Sequence, residues 1–258
     1  MNTEARMTQT SHEDLKILGV KVSGTSKQEV LRFIVSSLAR KSKFFVTTPN
    51  PEIVVAAQKD HELRAALNSA DVAIPDGVGL RLAGIKEVIT GRELFEALLS
   101  MANRKQLKVY LLGATPEVNK AAVNKIENLC PKIGIRGSGD IQVNEKGYFV
   151  DDKNRKRYID IIKNINRLKP DILFVAFGAP KQEKWVYHNL EKLNVGGAVV
   201  VGGALDYLVG KTVLPPAWAA KAGLEWLWRG IFEPWRAKRI FNAVVVFPLL
   251  LIKERLKH

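Results

Sequence analysis

From Leu15 onward, short unbroken apolar runs alternate with longer amphipathic stretches. The runs Leu15–Val22, Phe44–Thr48, Val72–Ile74, Val109–Gly113, Ile172–Gly178 and Ala198–Gly202 read as strands. Between them Lys27–Ala39, Ile53–Ala66, Leu94–Asn103, Pro116–Leu129, Tyr158–Leu168 and Lys181–Leu193 repeat their apolar residues at helical spacing. Continuous apolar strands separated by helices predict a mainly parallel sheet covered on both faces, a Rossmann-like α/β architecture spanning 14–214. Residues 1–13 are polar and aperiodic and read as a disordered N-terminus. Past Pro215 the strand pattern stops, and 215–258 reads as an appended helical segment.

In a parallel sheet, ligands sit beyond the carboxyl ends of the strands, so the residues there are the candidates for chemistry. Five such ends are polar or glycine-rich: 47–52, 75–79, 113–116, 177–183 and 202–206. Asp76, after a short apolar run and before two glycines, is placed either as a general base or as a turn or capping aspartate, the commoner use. Thr48 and Asn50 offer a hydroxyl and a carboxamide, suited to sugar hydroxyls or to capping the next helix. Gly178 precedes a helix N-terminus that can hold an anion, with Lys181 adding charge and Gln182 able to read a sugar or base. Gly113 and Gly202 close two further turns, and Asp206 can accept hydrogen bonds from a ribose or uracil edge or serve a structural turn. No phosphate-loop or dinucleotide glycine signature is present. The four histidines are scattered and Asp151-Asp152 lies in a polar stretch, so no metal site is expected.

The C-terminal segment changes the picture. Four of the five tryptophans (Trp218, Trp226, Trp228, Trp235) interleave there with eight basic and three acidic residues, ahead of an apolar run, Ala243–Ile252. Ten residues interrupted by Pro248 fall short of the roughly 20 that cross a bilayer, so the expected mode is a helix lying on an anionic membrane surface. The whole chain carries 40 Lys and Arg against 26 Asp and Glu, a net +14, which calls for an anionic partner. A single cysteine, Cys130, and the absence of a signal-peptide pattern place the protein on the cytoplasmic face.

Taken together and in order, seven segments between Ile17 and Phe241 resemble the WecG/TagA/CpsF glycosyltransferase family. They are Thr48–Glu52 (TPNPE), Pro75–Gly79 (PDGVG), Thr90-Gly91, Leu111–Gly113 (LLG), Phe177–Trp185 (FGAPKQEKW), Val201–Asp206 (VGGALD) and the tryptophan-rich Pro215–Arg236. The resemblance implies inverting, metal-independent transfer of N-acetylmannosamine from its UDP form to N-acetylglucosamine on undecaprenyl diphosphate, feeding wall teichoic acid or another surface polysaccharide. It makes Asp76 the general base, sets Thr48, Asn50 and Gln182 in the catalytic pocket and places Asp206 at the nucleotide. It also brings Arg229, Arg236 and Arg239 over the diphosphate.

Two departures stand out. Val88 occupies a position where the family pattern usually has arginine, leaving Arg81, Lys86 or Arg92 to supply a cation, and Gly137–Ile141 departs from the family's usual turn. Donor choice therefore stays open to UDP-N-acetylmannosaminuronic acid, UDP-glucose or another UDP-sugar. The competing classes are a basic nucleic-acid binder, which lacks any recognisable binding motif, a nicotinamide-dependent enzyme, which lacks the glycine fingerprint, and a non-catalytic membrane protein. An exposed apolar tail also predicts homo-oligomers away from membrane.

Overall fold

The computed structural model describes residues 13–139, 141–150, 155–212, 215, 216, 219, 225–232 and 236–256. The expectations for residues 1–12, Asp151-Asp152, Trp218 and Trp235 lie outside these, as do the side chains of Trp226 and Arg229.

Six strands form one parallel sheet in the order β4-β3-β8-β7-β5-β6. They are β3 (Phe44–Thr47), β4 (Val72–Ala73), β5 (Lys108–Gly113), β6 (Gly134–Ser138), β7 (Ile172–Ala176) and β8 (Gly197–Val200). The central strands β3, β7 and β8 are buried along their whole length, which is why they read as unbroken apolar runs rather than as alternation. Helix α4 (Gly91–Lys105) and α5 (Pro116–Leu129) cover one face, where Phe95, Leu98, Val118, Ala122 and Ile126 join a single apolar cluster. Helix α6 (Arg155–Leu168) and α7 (Lys181–Asn189) cover the other through Ile161, Ile165, Trp185 and Val186. Helix α1 (Lys27–Ala39) starts in a capping box between Ser26 and Glu29, and α4 in one between Thr90 and Glu93.

Three sequence expectations are corrected. Leu15–Val22 is not one strand but two: β1 (Glu13–Ile17) and β2 (Val20–Gly24) form an antiparallel hairpin. Its turn, Leu18-Gly19, takes left-handed backbone angles (φ 51° and 77°), a reversal the apolar run concealed. Ile53–Ala66 is not one helix: α2 (Pro51–Ala56) ends, and α3 (His61–Asn68) restarts where the Asp60 side chain accepts the Leu63 amide. Strand β6, which pairs with β5 from Lys108↔Gly134 to Leu112↔Ser138, is absent from the strands the sequence predicts, and only its last two residues fall in the Gly137–Ile141 stretch. As an edge strand carrying Arg136 and three small residues, it lacks the apolar run that marks its neighbours.

A third apolar cluster joins the hairpin and α2 to the end of the chain. Helix α8 (Ala204–Leu208) is followed by α9 (Glu225–Phe232), α10 (Ala237–Phe241), one π-helical turn (Asn242–Val246) and α11 (Phe247–Arg255). Phe247 and Leu251 are buried among Ile53, Val54, Leu80 and Ile85, and Arg255 Nη2 donates to the Leu82 carbonyl (3.0 Å). Among the described residues no helix is long and apolar enough to cross a membrane.

Candidate active site

The sheet diverges between β5 and β7. Strand β5 leads through α5 outward to β6, whereas β7 leads through α7 on the opposite face back to β8. A crevice opens at the carboxyl ends of neighbouring strands whose connections part in this way. Here Gly113 (φ 103°) lets the β5 loop press against β7: a Cβ at that position would lie 2.7 Å from the Ala176 carbonyl oxygen. The Ala114 amide donates to the same oxygen (2.9 Å). Gly178 lies just beyond β7, the strand paired with β5.

Toward the other edge of the sheet, the loops after β3 and β4 are tied together. The Asp76 amide donates to the Pro49 carbonyl (2.9 Å), and the Ile89 amide to the Pro75 carbonyl (2.9 Å). Helix α4 begins directly above them. A Cβ on Gly91 would stand 3.7 Å from Thr48 Oγ1 and 3.8 Å from Asp76 Oδ2, so the buried hydroxyl and the half-buried carboxylate converge on the first residue of that helix. The Asn50 side chain is turned to its own helix, with Oδ1 accepting the Ile53 amide (2.9 Å), which is the capping use.

Gln182 links two further strand ends. It is buried, its Oε1 accepts the Gly202 amide at the end of β8 (3.1 Å), and its Nε2 donates to Glu183 Oε1 (2.9 Å). Asp206 stands on the first turn of α8, beside Gly203, with Lys211 Nζ 3.9 Å from its Oδ1. The carboxyl ends of β4, β3, β8, β7 and β5, consecutive in the sheet, thus gather Asp76, Thr48, Gly202, Gln182, Gly178 and Gly113 along one edge.

Other candidates are more loosely connected. Lys181 Nζ lies 3.4 Å from Glu145, and Arg92 forms an exposed-side pair with Glu96 at 3.6 Å. Val88 packs against the third apolar cluster, while Arg81 and Lys86 are exposed. Of the three cations, half-buried Arg92 is the one adjacent to Gly91. Arg236 caps α10 and Arg239 lies within it, where its Nε pairs with Glu52 Oε1.

Two acids at the site went unselected in the sequence, Glu52 and Glu183. Glu183 is fully buried, among the described residues its Oε2 has no hydrogen-bond partner, and burial pushes its carboxyl up to about 7 against the opposing pull of Gln182, its own backbone amide and Arg239. Its spacing was a usable signal: Glu183, Val186 and Leu190 recur at i, i+3 and i+7, which sets an acid on the apolar stripe of α7. Beside it, Lys184 is 4% exposed and donates to Asp60 Oδ2 (2.6 Å) and to the Glu145 carbonyl (3.0 Å), with Glu62 Oε2 at 3.6 Å. Burial alone would raise the Asp60 carboxyl, but the Lys184 hydrogen bond and the Leu63 and Glu62 amides bring it below its ordinary value. Among the described residues no group of three or more His, Cys, Asp and Glu side chains has the arrangement of a metal site.

A parallel α/β sheet with a carboxylate, a hydroxyl, a carboxamide and glycine turns aligned on its carboxyl edge belongs to the class of Rossmann-like enzymes. Residues 15–258 match the model of the glycosyl transferase WecG/TagA/CpsF family, and the chain belongs to that family. A Bacillus subtilis (strain 168) protein named N-acetylglucosaminyldiphosphoundecaprenol N-acetyl-beta-D-mannosaminyltransferase is 34% identical over 215 residues, covering 81% of this chain and 79% of its own. A Staphylococcus aureus (strain MRSA252) protein of the same name is 28% identical over 250 residues, 93% of each chain.

Proposed function

We propose that this glycosyltransferase moves N-acetylmannosamine from UDP-N-acetylmannosamine to N-acetylglucosamine carried on undecaprenyl diphosphate, with inversion and without a metal, in wall teichoic acid or surface polysaccharide synthesis. The observation that carries the reading is the convergence of the Asp76 carboxylate and the Thr48 hydroxyl at the start of α4. The names of the two relatives supply the donor and the acceptor. Asp76 is the base: as the acceptor hydroxyl oxygen bonds to the anomeric carbon, its proton passes to Asp76. The bond from that carbon to the diphosphate oxygen breaks, and the electron pair leaves with UDP. Attack from the face opposite the leaving group converts an α-linked donor into a β product.

Thr48 and Gln182 orient the sugars, and Asn50 holds the wall of the pocket through its cap on α2. The glycine turns at Gly113, Gly178 and Gly202 admit the nucleotide close to the backbone, with Asp206 accepting from its ribose or base and Lys181 near its phosphates. Charge developing on the diphosphate is met by cations, which act strongly where water is excluded. Arg229, Arg236 and Arg239 are assigned to it, and Arg92 takes the place that Val88 leaves without a charge.

The segment from 215 onward is assigned to the membrane. Phe241, Val244, Val245, Leu249 and Ile252 are exposed beside Lys238, Lys253 and Arg255, an apolar and basic combination suited to the cytoplasmic face of an anionic bilayer. Away from membrane the same face favours self-association.

The test is turnover of UDP-N-acetylmannosamine with a lipid-diphosphate N-acetylglucosamine acceptor, with the product's anomeric configuration read by NMR and a chelator present in a parallel sample. A β product at an unchanged rate in chelator is expected. Faster turnover of UDP-glucose or UDP-N-acetylmannosaminuronic acid would overturn the donor, and an α product the inversion.

A further inference from the structure

Three charged side chains from three elements meet next to the candidate pocket. Glu52, on the first turn of α2, pairs through Oε1 with Nε of Arg239 on α10. Glu183, on the first turn of α7, feels both the Arg239 cation and the Glu52 anion. Of the two carboxylates, Glu52 is the one that holds the guanidinium. Glu183 keeps the hydrogen bond from Gln182, and among the described residues its Oε2 has no hydrogen-bond partner although it is sealed from water. Facing Glu183 are Gln182 of its own helix, Glu52 of α2 and Arg239 of α10, while the neighbouring Lys184 is turned to Asp60 and Glu62.

The geometry of the pair matters. Glu52 engages Nε, the inner nitrogen of the guanidinium, whose two terminal nitrogens carry four more N–H donors in a planar fork. An arginine tethered at Nε has its side chain fixed while that fork stays able to grip a diphosphate, so less conformational freedom is lost when the ligand arrives. The tether also spans the fold. It ties α10 to the helix that begins at Asn50, and Glu183 ties the same cluster through Gln182 to the end of β8.

We propose that Glu52 is the positioning residue for Arg239, holding Nε so that the terminal nitrogens are set toward a diphosphate. What Arg239 is held for rests on the transferase reading; the ion pair does not.

The decisive measurement is hydrogen–deuterium exchange of amides 237–246 in the full chain at pH 6 and pH 8, corrected for the intrinsic rate at each pH. The wild type should be protected at both. Glu52→Gln should exchange about tenfold faster at both, the scale of one charged hydrogen bond. Glu52→Gln should add nothing to Arg239→Gln. Wild-type protection in Glu52→Gln at both pH values, or additive effects of Glu52→Gln and Arg239→Gln, would overturn the proposal. Glu52→Asp keeps the charge and guards against a fold defect: it should behave as wild type, and fast exchange there at both pH values also counts against the ion pair. In acceptor-dependent UDP release, Glu52→Gln should lower kcat about tenfold with little change in the acceptor KM. A wild type that turns over no donor would sink the transferase reading, while the exchange data would still decide the ion-pair claim.

Discussion

Arg239 and Glu52, 187 residues apart in sequence, form an ion pair that joins the basic C-terminal helices to the helix following β3. Phe247 and Leu251, buried against Ile53 and Val54 of that same helix, hold the two parts together from the apolar side. The end of the chain is thereby brought to the loops that carry Asn50 and Asp76. The same segment leaves Phe241, Leu249 and Ile252 exposed.

Phe247 should matter more to stability than any exposed apolar neighbour on the same helices. Phe247→Ala removes a fully buried ring and should cost about 3–5 kcal/mol in chemical unfolding. Leu249→Ala, at an exposed position, should change stability by less than about 0.5 kcal/mol and act only on vesicle binding.

Two glycine substitutions should separate fold from function. Gly91→Ala puts a methyl at ordinary contact distance from Thr48 Oγ1 and Asp76 Oδ2, in a helical position that tolerates alanine. Turnover should fall at least tenfold with the melting temperature unchanged or slightly higher, since alanine favours helix by about 1 kcal/mol over glycine. Gly113→Ala drives a Cβ into the Ala176 carbonyl from a left-handed backbone, and should lower the melting temperature as well as activity.

The first glycine was legible as part of the Thr-Gly step, and so were Asp76, Thr48 and Gln182 at their strand ends. A parallel sheet buries its central strands on both faces, so each strand end is announced by an apolar run stopping at a polar or glycine residue. That signal fails where burial is one-sided or brief: β6, at the sheet edge, went unseen, and the hairpin turn at Leu18-Gly19 was hidden inside an apolar run. Glu52 escaped for a different reason. An acid in the first turn of a helix is commonplace, and its partner Arg239 is fixed only by tertiary packing. Glu183 left a trace in the helical spacing but was outweighed by its neighbours Lys181 and Gln182.

Stability should fall as pH rises from about 4.5 to about 7. Glu183 has its carboxyl pushed up to about 7 in the folded protein from 4.5, so the native state binds the proton more tightly than the unfolded chain and loses that advantage across this interval. At 1.36 kcal/mol per pH unit the loss is about 3 kcal/mol. Urea unfolding of Glu183→Gln should lack this decline; an unchanged pH profile in the variant would contradict the assignment.

Asp60 acts with the opposite sign. Its carboxyl lies below the ordinary value of 3.8, so the stability it contributes is complete above that pH and is lost as pH falls through the lowered value. Asp60→Asn leaves buried Lys184 with Glu62 alone, and should cost about 1–3 kcal/mol at pH 7, less than for a fully buried pair because Asp60 is partly exposed.

The assignment of Asp76 as the base is tested most directly by UDP release with UDP-N-acetylmannosamine and a lipid-diphosphate N-acetylglucosamine acceptor, comparing wild type with Asp76→Asn. Removing a general base should lower kcat by about 10²–10⁴-fold while the variant keeps its melting temperature and its affinity for UDP. An Asp76→Asn enzyme that releases UDP within a few-fold of the wild-type rate would contradict the account.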